Sequence, residues 1–385
     1  MTKRSPHSQT NAPAMRPATP PSAKAGFDEV LALIEAARTR AVASVNTALI
    51  DLYWSIGDYI SRKIAADGWG QGTVAALADY IQRREPNARG FSASNLWRMM
   101  QFFETYRRQP KLATLLRELS WSHNLAIMSR SKRQEEREFY LRMSSRERWS
   151  FRQLQRQLSG ALFERVALSP VKLSTSLTVL HPAATAAFKD SYLIEFIGLP
   201  KDHSEADLHD GLVARLKDFL IELGRDFCFV GSHYPIQVGG RDFEIDLLFF
   251  HRGLNCLVDI ELKIDEFQAE YLGKLEFYLE ALDRHVKKTH ENPAIGLLLC
   301  ATKDREVVEY ALSRSASPAL VAEYQTRLPD KNLLQAKLHE FYESAQEQNA
   351  APAAGPPLLV SKTKTKPSKA RPAKAKKRYP RGTKK

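Results

Sequence analysis

Apolar residues recur at helical spacing through the first part of the chain. Asp28–Ala43 (DEVLALIEAARTRAVA) and Ala48–Ala65 carry apolar positions three and four apart, which predicts helices. Gly68-Trp69-Gly70 interrupts the pattern, and Thr73 can cap a helix running VAALADYIQRR. Pro86, Asn87 and Gly90 mark a turn. Ser92 or Ser94 then caps NLWRMMQFFETYRR, whose Leu96, Met99, Met100 and Phe103 form an apolar stripe. Further helical stretches start at Ser120-Trp121-Ser122-His123 and cover Ser131–Leu141 and Ser150–Leu162. Sequential helices with short connections predict a helical domain over residues 27–168, as a compact bundle or a winged-helix-like arrangement.

The period changes after Ser169-Pro170. Pro182–Lys189 connects to Tyr192–Ile197, and Ala206–Leu223 reads as one amphipathic helix ended by Gly224. Three strand-like runs follow in close order: Cys228–Val238, Arg241–Phe250 and Leu254–Ile264. Gly239-Gly240 and His251-Arg252-Gly253 supply the turns between them. A helix is predicted over Glu266–Arg284 and a buried strand over Ala294–Cys300. The order αβββαβ over residues 180–345 predicts an α/β core with a mixed sheet, behind a mainly α-helical N-terminal domain.

Composition narrows the class. The chain is 43% hydrophobic and 26% charged, an ordinary globular balance. No run of about 18 apolar residues exists, so no membrane span is expected. The N-terminus lacks an apolar core segment, so no secretory signal is expected either. The three cysteines, Cys228, Cys256 and Cys300, are odd in number and lie in apolar stretches without metal-ligand spacing. They are expected to be buried, reduced thiols in a cytoplasmic protein, with association with the nucleoid left open.

The net charge of +13 suggests a polyanionic partner, but its location changes the picture. Lys3, Arg4, Arg16 and Lys24 give residues 1–26 a charge of +4 with no acid, and nine lysines and three arginines give residues 361–385 a charge of +12. The middle of the chain is left at −3. Basicity therefore belongs to two tails, 1–26 and the Ala/Pro/Gly- then Lys/Pro-rich 346–385, both expected to be disordered. Lys374, Lys376, Lys377 and Arg378 are expected to meet phosphate backbones without sequence preference.

Alternation along Phe243–Phe249 puts Glu244 and Asp246 on one strand face. On the next strand Glu261 and Lys263 share a face, and hairpin pairing can bring Asp246 beside Glu261. Two carboxylates and a neighbouring carbonyl, that of Leu262, are hard oxygen donors suited to Mg²⁺ or Mn²⁺. Such a cation neutralises a scissile phosphate and lowers the pKa of the attacking water, while Lys263 orients that water or stabilises the developing charge. The plain structural alternative is a pair of charges on a solvated strand face. Apolar residues flank IELKI, however, and charges buried within a sheet are costly without a cation partner.

The stretch FVGSHYPIQVGGRDFEIDLLFFHRGLNCLVDIELKIDEFQAEYLGKLEFYLEALD resembles the nuclease domain of the bacterial YhcG-like family of PD-(D/E)XK nucleases. The segments WSIGDYI, GWG, RGFSASNLWRMMQFFETY, LSWSHNLAI and WSFRQLQRQL resemble that family's N-terminal domain. The likeness covers roughly residues 27–345. It implies a restriction-endonuclease-like fold acting on DNA, in genome maintenance or defence against foreign DNA, with RNA left open. Asp246 and Glu261 would be metal ligands and Lys263 the catalytic lysine. His209 stands where a glutamate is expected, in a helix where RecB-like nucleases use a histidine ligand. His233 stands where a glutamine is usual, and Asp259 replaces an apolar residue. These departures leave a weakened nuclease fold, acting as a DNA-binding or partner-recruiting module, as the alternative.

In related nucleases a Gln and a Tyr of the helix after the lysine steady the site, which points to Gln268 and Tyr271. Tyr271, Lys274 and Tyr278 share one helical face; the alternative for them is packing aromatics around a snorkelling lysine. In the N-terminal domain Arg89, Asn95 and Arg98 are candidate groove contacts, with protein–protein contact and homo-oligomerisation as the rival role. Trp69, Trp97, Trp121 and Trp149 read as core aromatics, and His123 shows no partner for nucleophilic chemistry.

Overall fold

The computed structural model describes the backbone of residues 21–350 and side chains within 33–343. Residues 1–20 and 351–385, with Lys374, Lys376, Lys377 and Arg378, lie outside the described residues, whereas the inner ends of the two basic tails, 21–26 and 346–350, are helical rather than disordered. Helices come first: α1 (Pro21–Asp67), α2 (Gln71–Arg84), α3 (Ala93–Tyr106), α4 (Ala113–Glu118), α5 (Trp121–Arg130), α6 (Gln134–Arg146), α7 (Phe151–Ser159) and α8 (Leu162–Leu168). Where the pattern predicts two helices up to residue 65, α1 is one continuous helix, because nothing between Ala43 and Ala48 breaks it. Ser92, not Ser94, caps α3 by accepting the Asn95 N–H, and Gly70, not Thr73, precedes α2. No strand occurs among the described residues of this region, so there is no wing. Ile60, Val74, Leu96 and Met99 form its core, with Trp121 against Tyr53 (centroids 4.7 Å apart) and Phe102 (5.2 Å).

Residues beyond α8 build a mixed six-stranded sheet. The elements run α9 (Thr175–Leu180), α10 (Ala184–Ala187), β1 (Ser191–Leu193), α11 (Glu205–Ala214), α12 (Leu216–Leu223), β2 (Phe227–Val238), β3 (Arg241–His251), β4 (Cys256–Glu266), α13 (Tyr271–His285), β5 (Asn292–Thr302), α14 (Arg305–Ser313), β6 (Ala319–Gln325) and α15 (Lys331–Ala350). The strand order is β1-β6-β5-β4-β3-β2; β2, β3 and β4 form an antiparallel meander, and β4, β5, β6 and β1 run parallel. The meander and the parallel return strand agree with the αβββαβ reading.

Several elements differ from the pattern. The helix expected over Ala206–Leu223 is two, interrupted at Arg215 (φ −113°, ψ 30°). Strand β4 runs on to Glu266, so Gln268 lies in the connection before α13 rather than within a helix. Strand β6 is additional: five of its seven residues are buried, and such a short, largely apolar run has no period to announce it.

Both sheet faces are covered. Leu208, Leu212 and Phe219 pack on one with Leu247, Val258, Ile260 and Leu262; Leu275, Tyr278, Leu279 and Leu282 cover the other. Gly296 lets α13 come close, since a Cβ there would lie 2.6 Å from the Leu275 side chain. Cys256 and Cys300 are buried, and burial pushes both thiols up to about 12; Cys228 is exposed, against expectation, because it sits on the edge strand β2.

The described residues through Leu338 form one compact unit that holds both the helices and the sheet. A buried carboxylate joins them. Glu222 of α12 meets Arg156 of α7 (2.8 Å), Gln157 (3.1 Å), Lys189 (3.3 Å) and the N–H of Leu193 (3.1 Å), while Arg156 also holds Glu195 (2.9 Å). A second unit runs from His339 and contains a His339–Glu343 pair (3.2 Å). Among the described residues no helix is long and apolar enough to cross a membrane.

Candidate active site

The site forms where β3 and β4 part. Their ladder stops at Leu247 opposite Ile260, although both strands continue. Asp246, the next residue on β3, bridges the gap with its side chain: Oδ2 accepts the Leu262 N–H at 2.9 Å. Glu261 is the neighbour of Leu262 and is buried at 1% exposure. Lys263, on the other side, donates from Nζ to the Leu262 carbonyl at 2.7 Å. The three residues singled out by alternation are thus grouped around the backbone of one residue, Leu262.

Two further groups meet them. Lys274, one turn into α13, donates to Glu261 Oε2 at 2.7 Å. Glu205, the first residue of α11, accepts from Lys263 at 3.1 Å through Oε1. Tyr271 lies beneath Lys263 (Nζ to ring 5.7 Å) and Tyr278 beneath Lys274 (5.1 Å), so the shared face of Tyr271, Lys274 and Tyr278 is the one turned to the site. Gln268 is exposed and donates weakly to the Glu266 carbonyl at 3.4 Å. Sequence reading passed over Glu205, although a signal existed: Ser204 and Asp207 form a capping box, which fixes Glu205 at the helix start.

The electrostatics are those of carboxylates crowded out of water. Burial and then Asp246 push Glu261 up, against the pull of Lys274 and Lys263. Burial, with Glu261 and Asp246 beside it, pushes Asp259 well above the carboxylate range. Glu261 Oε1 and both Asp259 oxygens are buried without a hydrogen-bond partner. Among the described residues no three His, Cys, Asp or Glu side chains gather closely enough to hold a metal ion on their own. Two carboxylates and a backbone carbonyl remain, a set that suits a small hard cation keeping several waters. The orphaned Oε1 of Glu261 fits such a group.

His209 is buried, with Nδ1 3.1 Å from Asp210 Oδ1 and Nε2 without a partner. Its ring lies against that of His233, with centroids 4.0 Å apart and the planes tilted by 41°. His233 falls between the pairs Ser232↔Leu247 and Tyr234↔Ile245, hence opposite Asp246, and its φ of 47° is left-handed. The row His233, Asp246, Glu261 crosses three neighbouring strands.

In the helical region Arg89 and Arg98 are exposed. Asn95 is engaged: it donates to the Gly90 carbonyl in the turn before α3 and accepts the Trp121 indole N–H at 3.0 Å, the second bond joining the start of α3 to α5. His123 contacts Ser120 Oγ at 2.6 Å and the Trp149 carbonyl at 2.9 Å, so the Trp-Ser-His motif ties α5 to the start of α7.

Comparison with known proteins bears on this geometry. The model of the YhcG PDDEXK nuclease domain matches residues 185–339, and that of the DUF1016 N-terminal domain matches residues 29–165. A protein of Escherichia coli (strain K12) described as "Putative nuclease YhcG" is 33% identical over 360 residues, spanning 82% of this chain and 95% of that protein. The chain belongs to the YhcG family. It therefore has a PD-(D/E)XK-type nuclease domain behind a helical N-terminal region, as the resemblance implied. Two solved structures show a limited likeness at 16% identity and 34% coverage of this chain: a repair endonuclease from Pyrococcus abyssi (TM-score 0.23) and EndoMS in apo form (TM-score 0.21). The chain spans about half the length of each (50% and 49%), and at such scores the likeness carries no argument.

Proposed function

We propose that this chain is a metal-dependent nuclease that hydrolyses phosphodiester bonds of DNA. The observation that carries the reading is the grouping of Asp246, Glu261 and Lys263 around the Leu262 backbone N–H and carbonyl, with Glu261 Oε1 buried and unpartnered. Asp246, Glu261 and the Leu262 carbonyl would hold Mg²⁺ or Mn²⁺. A cation there supplies neutralisation of the scissile phosphate and a more acidic attacking water.

The chain's own groups do the positioning. The Leu262 N–H fixes the Asp246 carboxylate, and the burial of Glu261 keeps its free oxygen out of bulk water. Lys263, anchored between the Leu262 carbonyl and Glu205, orients the attacking water or donates to the developing negative charge. The basic segment 361–385 concentrates the polyanion without choosing where it is cut.

A second reading, a nuclease fold that binds nucleic acid without turnover, draws on Asp259, a buried carboxyl group with neither oxygen partnered. One assay separates the two. Duplex, single-stranded and branched DNA, and RNA, are incubated with Mg²⁺, Mn²⁺ or EDTA beside Glu261→Gln. The nuclease reading expects cation-dependent cleavage of DNA by the wild type alone. Retention of DNA with no product under either cation supports the second reading.

A further inference from the structure

Two of the three groups offered to a divalent cation, the Glu261 carboxylate and the Leu262 carbonyl, are in contact with an ammonium group. Lys274 Nζ lies 2.7 Å from Glu261 Oε2, and Lys263 Nζ lies 2.7 Å from the Leu262 carbonyl. The two lysines are placed differently. Lys263 is on the same strand as its acceptor, is 15% exposed and is held from behind by Glu205. Lys274 comes from the covering helix, is 46% exposed and has the Tyr278 ring beneath it.

Their partners differ in freedom as well. Glu261, at 1% exposure, is screened from bulk water, so its charge needs a cation at hand. Lys274 loses little on leaving: its stem is flexible, its head is half in water, and the aromatic ring offers a second resting place. A divalent ion on Glu261 would also repel an ammonium group kept at hydrogen-bond distance.

We propose that Lys274 is an exchangeable counter-ion: it holds Glu261 in the cation-free protein, gives the carboxylate up when the divalent cation binds, and so frees its ammonium group for a backbone phosphate of the substrate. The proposal rests on the nuclease reading above and adds to it. Lys274 then couples cation occupancy to substrate binding, and such coupling is reciprocal.

Two measurements on the full chain test this. Mn²⁺ affinity is read by electron paramagnetic resonance or calorimetry for wild type, Lys274→Met and Glu261→Gln. Removing the competing ammonium group tightens Mn²⁺ binding in Lys274→Met on the order of tenfold, a difference of about 1.4 kcal/mol. Glu261→Gln weakens it. Unchanged or weaker binding in a folded Lys274→Met overturns the proposal, while loss of binding in Glu261→Gln leaves the nuclease reading standing. No Mn²⁺ binding in wild type or Lys274→Met overturns both.

The second measurement needs no variant. Lysine acylation of the wild type is mapped by mass spectrometry with and without Ca²⁺. Lys274 becomes more reactive with the cation if it is released. Equal or greater protection of Lys274 contradicts the exchange.

Discussion

The Asp246 carboxylate accepts the backbone N–H of Leu262 at 2.9 Å, one step past the last ladder pair between their strands. A side chain thus continues the hydrogen bonding where the strands separate, and it is anchored beside Glu261.

Asp246 adds to the crowding that pushes Glu261 up. Asp246→Asn keeps an oxygen for the Leu262 N–H and removes the repulsion, so the variant is expected to melt at the wild-type temperature or above it. Its cleavage is expected to fall by about a hundredfold or more, the scale seen when one charge-stabilising group is lost. Asp246→Ala, which leaves the N–H unserved, is expected to lose about 1–3 kcal/mol of stability. Thermal melts and cleavage rates check both; Asp246→Asn that melts several degrees early speaks against the anchoring role.

Glu222 predicts an acid-sensitive junction between the helices and the sheet. Burial alone would raise its pKa, but Lys189, Arg165 and Arg156 outweigh it and hold the carboxyl at about 2, against an ordinary 4.5. A depressed carboxyl pKa contributes stability above about pH 4.5 and loses it as pH falls through about 2. Glu222→Gln is expected to cost roughly 3 kcal/mol near neutrality, because three cations lose their partner. The difference from wild type should shrink across that window in denaturant titrations. A difference that stays constant from pH 7 to 2 would contradict the assignment.

His233 tests whether backbone strain sits at the site. Its φ of 47° suits glycine and penalises β-branched residues. His233→Gly is expected to melt no lower than wild type, and His233→Val to lose on the order of 1–2 kcal/mol. Equal melting of the two variants would remove the strain.

How much of this was legible in the sequence depends on distance along the chain. Asp246, Glu261 and Lys263 could be read because strand alternation and two short turns fix a local register. The face of Tyr271, Lys274 and Tyr278 followed from helical spacing in the same way. Glu205 was missed because its contact with Lys263 joins residues 58 apart, which no local period encodes. The break at Arg215 interrupts residues that locally favour one continuous helix, and the end of β4 at Glu266 falls where strand and helix patterns meet without a turn residue to mark the boundary. The engagement of Asn95 by Trp121 likewise appears only once α3 and α5 are packed.

Lys263 carries the central claim, and cleavage of DNA by Lys263→Ala beside wild type, in Mg²⁺ or Mn²⁺, tests it most directly. The account predicts a fall in cleavage rate of roughly 10²–10³-fold, with DNA affinity, Mn²⁺ affinity and melting temperature close to wild type. Wild-type cleavage by a folded Lys263→Ala would contradict it.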